Sequence, residues 1–281
     1  MRILLKIHLS SLIRCLLSKI KSKINNMFTR FESSIEDFVI PAKLNSPFDY
    51  DPDSLCLLAS KELQNYLEIQ NEWDHNFGLD STKKGTIYGK MFGVLVVMNY
   101  KNEIGYLSAF SGKLAGNNHH LKFVPPVYDS LKKGDFLNLG MNELERISNE
   151  ISVMESAGIE DDSKEMNDKK RERKNHSIAL QEKLFDQYKF LNQTGGVQGL
   201  REIFNDKTGR NPPSGAGECA APKLLQFAFK NNMRPVAMAE FWWGQSPKLI
   251  RRIHKQFYPA CQEKCFPILS HMLEGITLEK N

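Results

Sequence analysis

Three of the five cysteines lie between Ser214 and Gly275, and their placement constrains the fold more than any other feature of the sequence. Cys219 precedes an apolar stretch with helical periodicity, and Cys261 and Cys265 stand where a second helical stretch begins. Between the two predicted helices, the run from Arg234 to Trp243 is apolar and rich in β-forming residues, which predicts a buried strand. The order is therefore helix, strand, helix, with thiols at the start of both helices.

Cysteines at helix starts are well placed to bind a metal ion. The free N–H groups and the positive end of the helix dipole stabilise a thiolate there. We therefore predict a zinc site formed by Cys219, Cys261 and Cys265, with His254 or His271 as a fourth ligand. The alternative interpretation is that these cysteines are small buried hydrophobic residues.

The cysteine count also bears on the cellular compartment. Five cysteines with one close pair do not suit a disulfide framework in a chain of 281 residues. The pattern favours a reducing compartment and predicts a cytoplasmic protein. Cys15 and Cys56 are interpreted as small buried hydrophobic residues.

The remaining pattern predicts an α+β fold, with an antiparallel or mixed sheet, packed helices and a possible deaminase-like arrangement. Residues 89–110 read as a hairpin of two strands, and Ser54 is expected to cap a helix over about 55–70. The stretch from Phe204 to Pro213 reads as turn-rich. Residues 28–140 and 191–281 are predicted to form one domain.

A charged helical hairpin is predicted to interrupt that domain over residues 141–190. Its second helix carries the basic run of residues 169–174, for which phosphate contact and a solvated helix face are both open interpretations. The hairpin is expected to bend near Glu160-Asp161-Asp162.

The basic charge of the chain comes from its first 27 residues. They hold six of the 38 lysines and arginines and no acid, which leaves 32 basic against 33 acidic residues in the rest. Overall charge therefore gives no argument for nucleic-acid binding. Residues 1–27 also have the pattern of an amphipathic helix, for which membrane-surface attachment and a poorly ordered extension both remain open. A membrane partner is not expected, because no apolar run approaches the length of a membrane span.

Several long sequence blocks resemble a known family. These blocks are GKMFGVLVV, GYLSAFSGKLAG, FVPPVYDSL, GAGECAAPKLLQFAFK, MAEFWWGQSP and FYPACQEKCFPILSHML. They are similar to the N-terminal region of large bacterial RluA-type RNA pseudouridine synthases, and the resemblance covers about residues 34–275. It implies a role in RNA modification, with ribosomal or transfer RNA as partner.

The resemblance does not extend to catalysis. The family's synthase domain, an isomerase, uses the aspartate of a His-Arg-Leu-Asp motif, and this sequence contains no such motif. We therefore expect a split or truncated accessory region that does not isomerise uridine itself. A separate pseudouridine synthase chain is an expected partner.

RNA contact is predicted for one local patch rather than for the whole surface. Aromatic rings can stack on bases, and basic side chains can contact phosphates. Both occur near the predicted strand, although paired tryptophans also suit a core. The predicted RNA-binding residues are Trp242, Trp243, Lys248, Arg251, Arg252 and Lys255.

Two other functions remain open. Zinc nucleobase deaminases share the order of hairpin, helix, strand and helix, with zinc activating water and a glutamate moving protons. Here Glu218 precedes Cys219, residue 221 is alanine, and the last two cysteines have three residues between them instead of two. Glu218 is the candidate catalytic glutamate of this alternative. Glu240 has two open interpretations, an ion-pair partner of a lysine or arginine and a catalytic group. The third function is a structural domain that docks onto a separate synthase chain.

Overall fold

The polypeptide folds around an antiparallel sheet of three strands, flanked on both faces by helices. The computed structural model describes residues 27–48, 51–246 and 251–279. In chain order its elements are α1 (Ser54–Ile69), β1 (Lys90–Met98), β2 (Ile104–Phe110), α2 (Phe136–Ser156), α3 (Lys164–Phe185), β3 (Lys189–Leu191), β4 (Val197–Gly199), α4 (Leu200–Thr208), α5 (Ala220–Lys230), β5 (Arg234–Trp243) and α6 (Cys265–Met272). This arrangement confirms the predicted α+β class.

The sheet has the order β2-β1-β5, so the hairpin strand β1 is central. Val94 and Val96 point to the face covered by α1, whereas Leu95 and Val97 pack on the side of α4, α5 and α6. Strand residues alternate between faces, and the uninterrupted apolar run from Val94 to Met98 matches a strand covered on both sides. Pro235, which has no N–H to donate, coincides with a register shift between β1 and β5.

The charged insert is a helical pair, α2 and α3, which begins five residues before the predicted range. The bend follows Ser156 and includes the acidic triplet, as predicted. The basic run is largely neutralised within the pair: Lys169 contacts Glu150 at 2.9 Å and Glu172 at 2.8 Å. These contacts favour the solvated-face interpretation of residues 169–174.

Two local predictions differ from the structure. Asp53, not Ser54, caps α1, because its carboxylate accepts the Leu55 N–H at 2.8 Å. The stretch predicted to be turn-rich contains the end of helix α4, which buries Leu200, Ile203 and Phe204 at helical spacing. Its start is fixed by Glu202, whose carboxylate accepts the Gly199 N–H at 2.6 Å.

The structure bears only in part on the predictions for the N-terminal helix and for membrane spans. Apart from Met27, the predicted amphipathic helix of residues 1–27 lies outside the described residues. In the described ranges, no helix combines the length and apolarity that crossing a bilayer requires.

The segment before α1 is fixed to the edge of β5 by one buried side chain. Asn45 donates from Nδ2 to the Met238 carbonyl at 2.9 Å and accepts the Met238 N–H at 2.7 Å. A side-chain amide that satisfies both backbone groups of one residue acts as a substitute for a neighbouring strand. This contact holds β5 in the position from which Glu240 faces α5.

Replacing Asn45 with alanine is expected to lower the free energy of unfolding by about 2–4 kcal/mol, because two buried backbone groups lose their partners. Urea unfolding followed by circular dichroism measures this change. Asn231→Ala is the matched control: its Nδ2 donates to the Phe227 carbonyl at the end of α5, where water can replace it, so the expected loss is below about 1 kcal/mol. Equal losses in the two variants would contradict the proposed role of Asn45.

Candidate metal centre

The three predicted ligands come together in the fold. The Sγ atoms of Cys219, Cys261 and Cys265 all lie within 4.8 Å of one another. Tetrahedral zinc with Zn–S bonds of about 2.3 Å places its sulfurs about 3.8 Å apart, so small side-chain movements suffice to bind the ion. The donor set is therefore suited to zinc.

Two helix starts supply the sulfurs, although not in the same way. Cys219 is the N-cap residue of α5, immediately before its first turn. Cys265 is the first residue of α6, but Cys261 lies one turn earlier and accepts the Cys265 N–H with its backbone carbonyl at 3.2 Å. The prediction that Cys261 opens the helix is wrong by one turn. The three residues between the cysteines form this turn and direct both sulfurs toward Cys219.

The cluster favours a thiolate on Cys261. Hydrogen bonds from the thiols of Cys219 and Cys265 lower the pKa of Cys261 to about 2, and the N–H groups of Lys264 and Cys265 act in the same direction. The hydrogen bond to Cys261 is the main cause of the raised pKa of Cys219. Metal ligation requires the thiolate, and Cys261 is the cysteine of the cluster whose surroundings favour that form.

Neither predicted histidine joins the cluster. Within the described ranges, the group of possible ligands at this position consists of three cysteines. His254 accepts the Gly244 N–H at 3.0 Å and packs against Trp243. His271 is buried, with Nε2 3.1 Å from the Phe190 carbonyl and Nδ1 3.5 Å from Glu274. Three protein ligands with an open fourth position are typical of catalytic zinc, whereas structural zinc usually has four.

Glu240 is a buried carboxylate that interacts electrostatically with the cysteine cluster. It is buried on β5, and its Oε1 accepts the Ala221 N–H at 3.3 Å in the first turn of α5. Burial raises the pKa of Glu240 to about 7, and the charge of Cys261 adds to this effect. The Glu240 carboxylate therefore lies at the first turn of α5. Residue 221 in that turn, where the deaminase pattern has its glutamate, is alanine.

Glu218, the other candidate catalytic glutamate, is engaged in contacts with Tyr188 and Lys223. Its Oε1 accepts a hydrogen bond from the Tyr188 hydroxyl, and its Oε2 lies 3.7 Å from Lys223 Nζ. Lys223 is 3% exposed and donates to the carbonyls of Phe110 and Gly112 at 3.0 and 3.1 Å. Burial lowers the pKa of Lys223. This network fastens the end of β2 to α5 beside Cys219.

Sequence reasoning did not find Lys223. The available signal was a single lysine one turn after Cys219 on a helix whose first six residues are otherwise apolar. Glu240, by contrast, was identified from the sequence, because it is the one acidic residue of an apolar strand.

The predicted aromatic platform is not exposed. Trp243 is 2% exposed and packs edge-on against Phe241, so its ring is not available for stacking on a base. Trp242 is half-buried, and its indole N–H donates to the Gly244 carbonyl at 3.1 Å. Sequence alone did not show which of the two adjacent rings faces the core.

The basic residues of the patch differ in their availability. Arg251 is exposed, whereas the Arg252 guanidinium lies over the Tyr258 ring at 4.1 Å from its centre. Lys255 forms an ion pair with Glu68 at 2.7 Å. Lys248 lies outside the described residues. Arg251 and Arg252 therefore remain the candidates for contact with an anionic partner.

The site thus combines three converging sulfurs, a buried carboxylate and nearby basic side chains. Such a set can hold zinc, and the open coordination position can take a water molecule. Comparisons of the chain with protein-family models, with curated proteins and with solved structures find no match.

Proposed function

We propose that this chain is a zinc-binding accessory module that positions RNA for a pseudouridine synthase. The observation that carries the zinc assignment is the convergence of the sulfurs of Cys219, Cys261 and Cys265. The resemblance of the surrounding sequence blocks supplies the assignment to RNA modification.

The fold supports treating these blocks as one unit. The blocks that contain β1, β2 and β5 form the three-stranded sheet, and those that contain α5 and α6 pack on it. Cys219 and Cys261 belong to different blocks, yet their sulfurs meet. Zinc bound there would join the two helix starts and hold the loop that carries Arg251 and Arg252 close to the sheet.

RNA binding is the direct test of this function. Replacing both Arg251 and Arg252 with alanine is expected to weaken the binding of an unstructured single-stranded RNA, measured by fluorescence anisotropy. The slope of log K against log salt should become less steep by about 0.7 for each phosphate that the protein no longer neutralises. Lys169→Ala with Arg171→Ala is the matched control, because both residues are engaged in ion pairs of the helical pair.

The outcomes separate the RNA function from its competitors. If the control pair weakens binding and the Arg251/Arg252 pair does not, the RNA surface lies on α3. If the wild-type protein binds no RNA at low salt, the RNA function is wrong. Binding to a pseudouridine synthase without RNA would then indicate the docking domain.

A second candidate function is zinc-dependent deamination of a nucleobase, and the position of Glu240 favours it. Zinc supplies Lewis-acid activation of a water molecule in such enzymes. Zinc held by Cys219, Cys261 and Cys265 would supply that activation, and Glu240 would be the group that moves protons. One water proton would pass to the amino group, which leaves as ammonia, and the other to the ring nitrogen, while the water oxygen replaces the amino nitrogen on the ring. The order of hairpin, α5, β5 and α6 around the cysteines agrees with the arrangement of this enzyme class. Release of ammonia from cytidine, adenosine or single-stranded RNA is the assay.

A further inference from the structure

The three cysteines of the candidate metal centre differ in their exposure to solvent. Cys261 is exposed, Cys219 is half-buried, and Cys265 is 2% exposed. Their sulfur atoms nevertheless all lie within 4.8 Å of one another. An oxidant that arrives from solvent therefore meets Cys261 first, with two further sulfurs close to it. Cys56, by contrast, is fully buried in the core on the α1 side of the sheet.

Geometry disfavours a disulfide between Cys261 and Cys265. The two residues are one turn apart, since the Cys261 carbonyl accepts the Cys265 N–H at 3.2 Å. Side chains spaced in this way have Cβ atoms about 5–6 Å apart, whereas a disulfide requires a Cβ separation of about 3.5–4.5 Å. A bond between these two residues would therefore distort the turn with which α6 begins.

Cys219 has no such constraint. It is the N-cap residue of α5, its backbone is extended, and its side chain makes no capping hydrogen bond. The N-cap residue precedes the first helical turn, so its side chain can rotate toward Cys261 without disturbing the helix. The two sulfurs, at most 4.8 Å apart, must approach to about 2.0 Å to form the bond. Cys219 is therefore the partner that the fold offers to Cys261.

We propose that Cys219 and Cys261 are a site of reversible oxidation, which a hydroperoxide such as hydrogen peroxide converts to a disulfide. The Cys261 thiolate attacks one peroxide oxygen, the O–O bond breaks, and hydroxide leaves, so that a sulfenic acid forms. The Cys219 thiolate then attacks the Cys261 sulfur, the S–O bond breaks, and a second hydroxide leaves. Both hydroxides take protons from solvent. The two thiolates lose two electrons in total, and the peroxide becomes two water molecules.

The oxidation also releases the metal, a consequence that rests on the proposed zinc site. Zinc binds thiolates, and a disulfide has none. Cys265 alone remains as a ligand, so the ion leaves while the new bond keeps the start of α5 beside the segment that precedes α6. A thiol reductant restores both thiols and with them the binding of zinc. Transient disulfides of this kind are typical of redox-sensing sites in reducing compartments.

Titration of the zinc-loaded full chain with hydrogen peroxide tests both steps. Each chain is expected to lose two of its five thiols and to release about one zinc ion, measured with a thiol reagent and a chromophoric chelator. Peptide mapping by mass spectrometry without reductant should find Cys219 joined to Cys261, and dithiothreitol should reverse the loss. A map that joins Cys261 to Cys265, or thiols of the cluster that stay reduced, would overturn the proposal.

Two serine variants separate the possible partners. Cys265→Ser keeps Cys219 and Cys261 and should still form the disulfide, whereas Cys219→Ser should stop at a sulfenic acid on Cys261, which dimedone traps. The matched control is Cys15→Ser with Cys56→Ala, which removes the cysteines outside the cluster and should be oxidised as the wild type is. A disulfide in Cys219→Ser would contradict the assignment of the partner.

The zinc-free wild type distinguishes this site from the proposed function. It contains the same three thiols of the cluster and is expected to form the same disulfide with peroxide. A protein that binds no zinc but joins Cys219 to Cys261 would show that the zinc assignment is wrong and the oxidation site is correct. A protein that binds zinc but forms no such disulfide, with or without the metal, would show that the oxidation site is wrong.

Discussion

Replacing Cys219 with serine is expected to reduce the zinc content of the purified protein from about one ion per chain to near zero. Loss of one of three thiolates leaves only Cys261 and Cys265, which do not complete a tetrahedral site. Serine is a favoured N-cap residue, and Cys219 makes no capping hydrogen bond of its own. The substitution therefore removes a metal ligand without weakening the start of α5, so its effect is attributable to the metal.

The same variant should lose thermal stability. A ligand present at about 1,000 times its dissociation constant stabilises the folded state by about 4 kcal/mol. For a chain of this size, that corresponds to a decrease in Tm of about 8–16 °C. Elemental analysis by mass spectrometry measures zinc, and differential scanning calorimetry measures the melting temperature. A chelator should lower the Tm of the wild type and leave that of Cys219→Ser unchanged.

Cys56→Ala is the matched control for this experiment. Cys56 is fully buried on α1, on the other side of the sheet from the cluster. Its truncation should destabilise the core without changing the zinc content. Zinc lost equally from both variants would mean that metal retention follows general stability. Wild-type protein that binds no zinc when reconstituted would remove the zinc assignment and the hydrolase alternative with it.

The convergence of the three cysteines was predictable because its signals are local. Cys219 precedes an apolar helix, and Cys265 begins another, so the sequence near each residue places its thiol at a helix start. The connecting strand, Arg234–Trp243, was predicted with the bounds it has, because asparagines precede it and glycine ends it. The chain leaves the start of α5 along the helix, and β5 carries it back, so that the start of α6 can lie beside the start of α5.

The features that escaped prediction depend on contacts distant in sequence. The half-burial of Trp242 and the full burial of Trp243 are set by how β5 lies on α1 and on the returning segment at His254. The ion pair of Lys169 with Glu150 exists because α2 and α3 pack together. Local sequence shows that such residues are aromatic or charged, but not which partner they meet.

The proton-transfer role proposed for Glu240 in the deaminase candidate leads to the other large expected effect. Glu240→Gln keeps the size of the side chain and its ability to accept the Ala221 N–H. It removes the group that moves the proton from water to the leaving amine. Positioned acid–base groups typically contribute about 10²–10⁴-fold, so ammonia release should fall by that factor while zinc content stays at the wild-type level.

Glu218→Gln is the matched control, because Glu218 is adjacent to Cys219 in sequence but is engaged with Tyr188 and Lys223. The amide oxygen can still accept the Tyr188 hydroxyl, so this variant should retain both zinc and most of the ammonia release. Activity lost in Glu218→Gln and kept in Glu240→Gln would transfer the role to Glu218. Ammonia release that survives both changes would exclude both glutamates as the proton-transfer group. No ammonia release by the zinc-loaded wild type on any of the three substrates would exclude the deaminase candidate and leave the accessory RNA module as the function proposed for the metal centre.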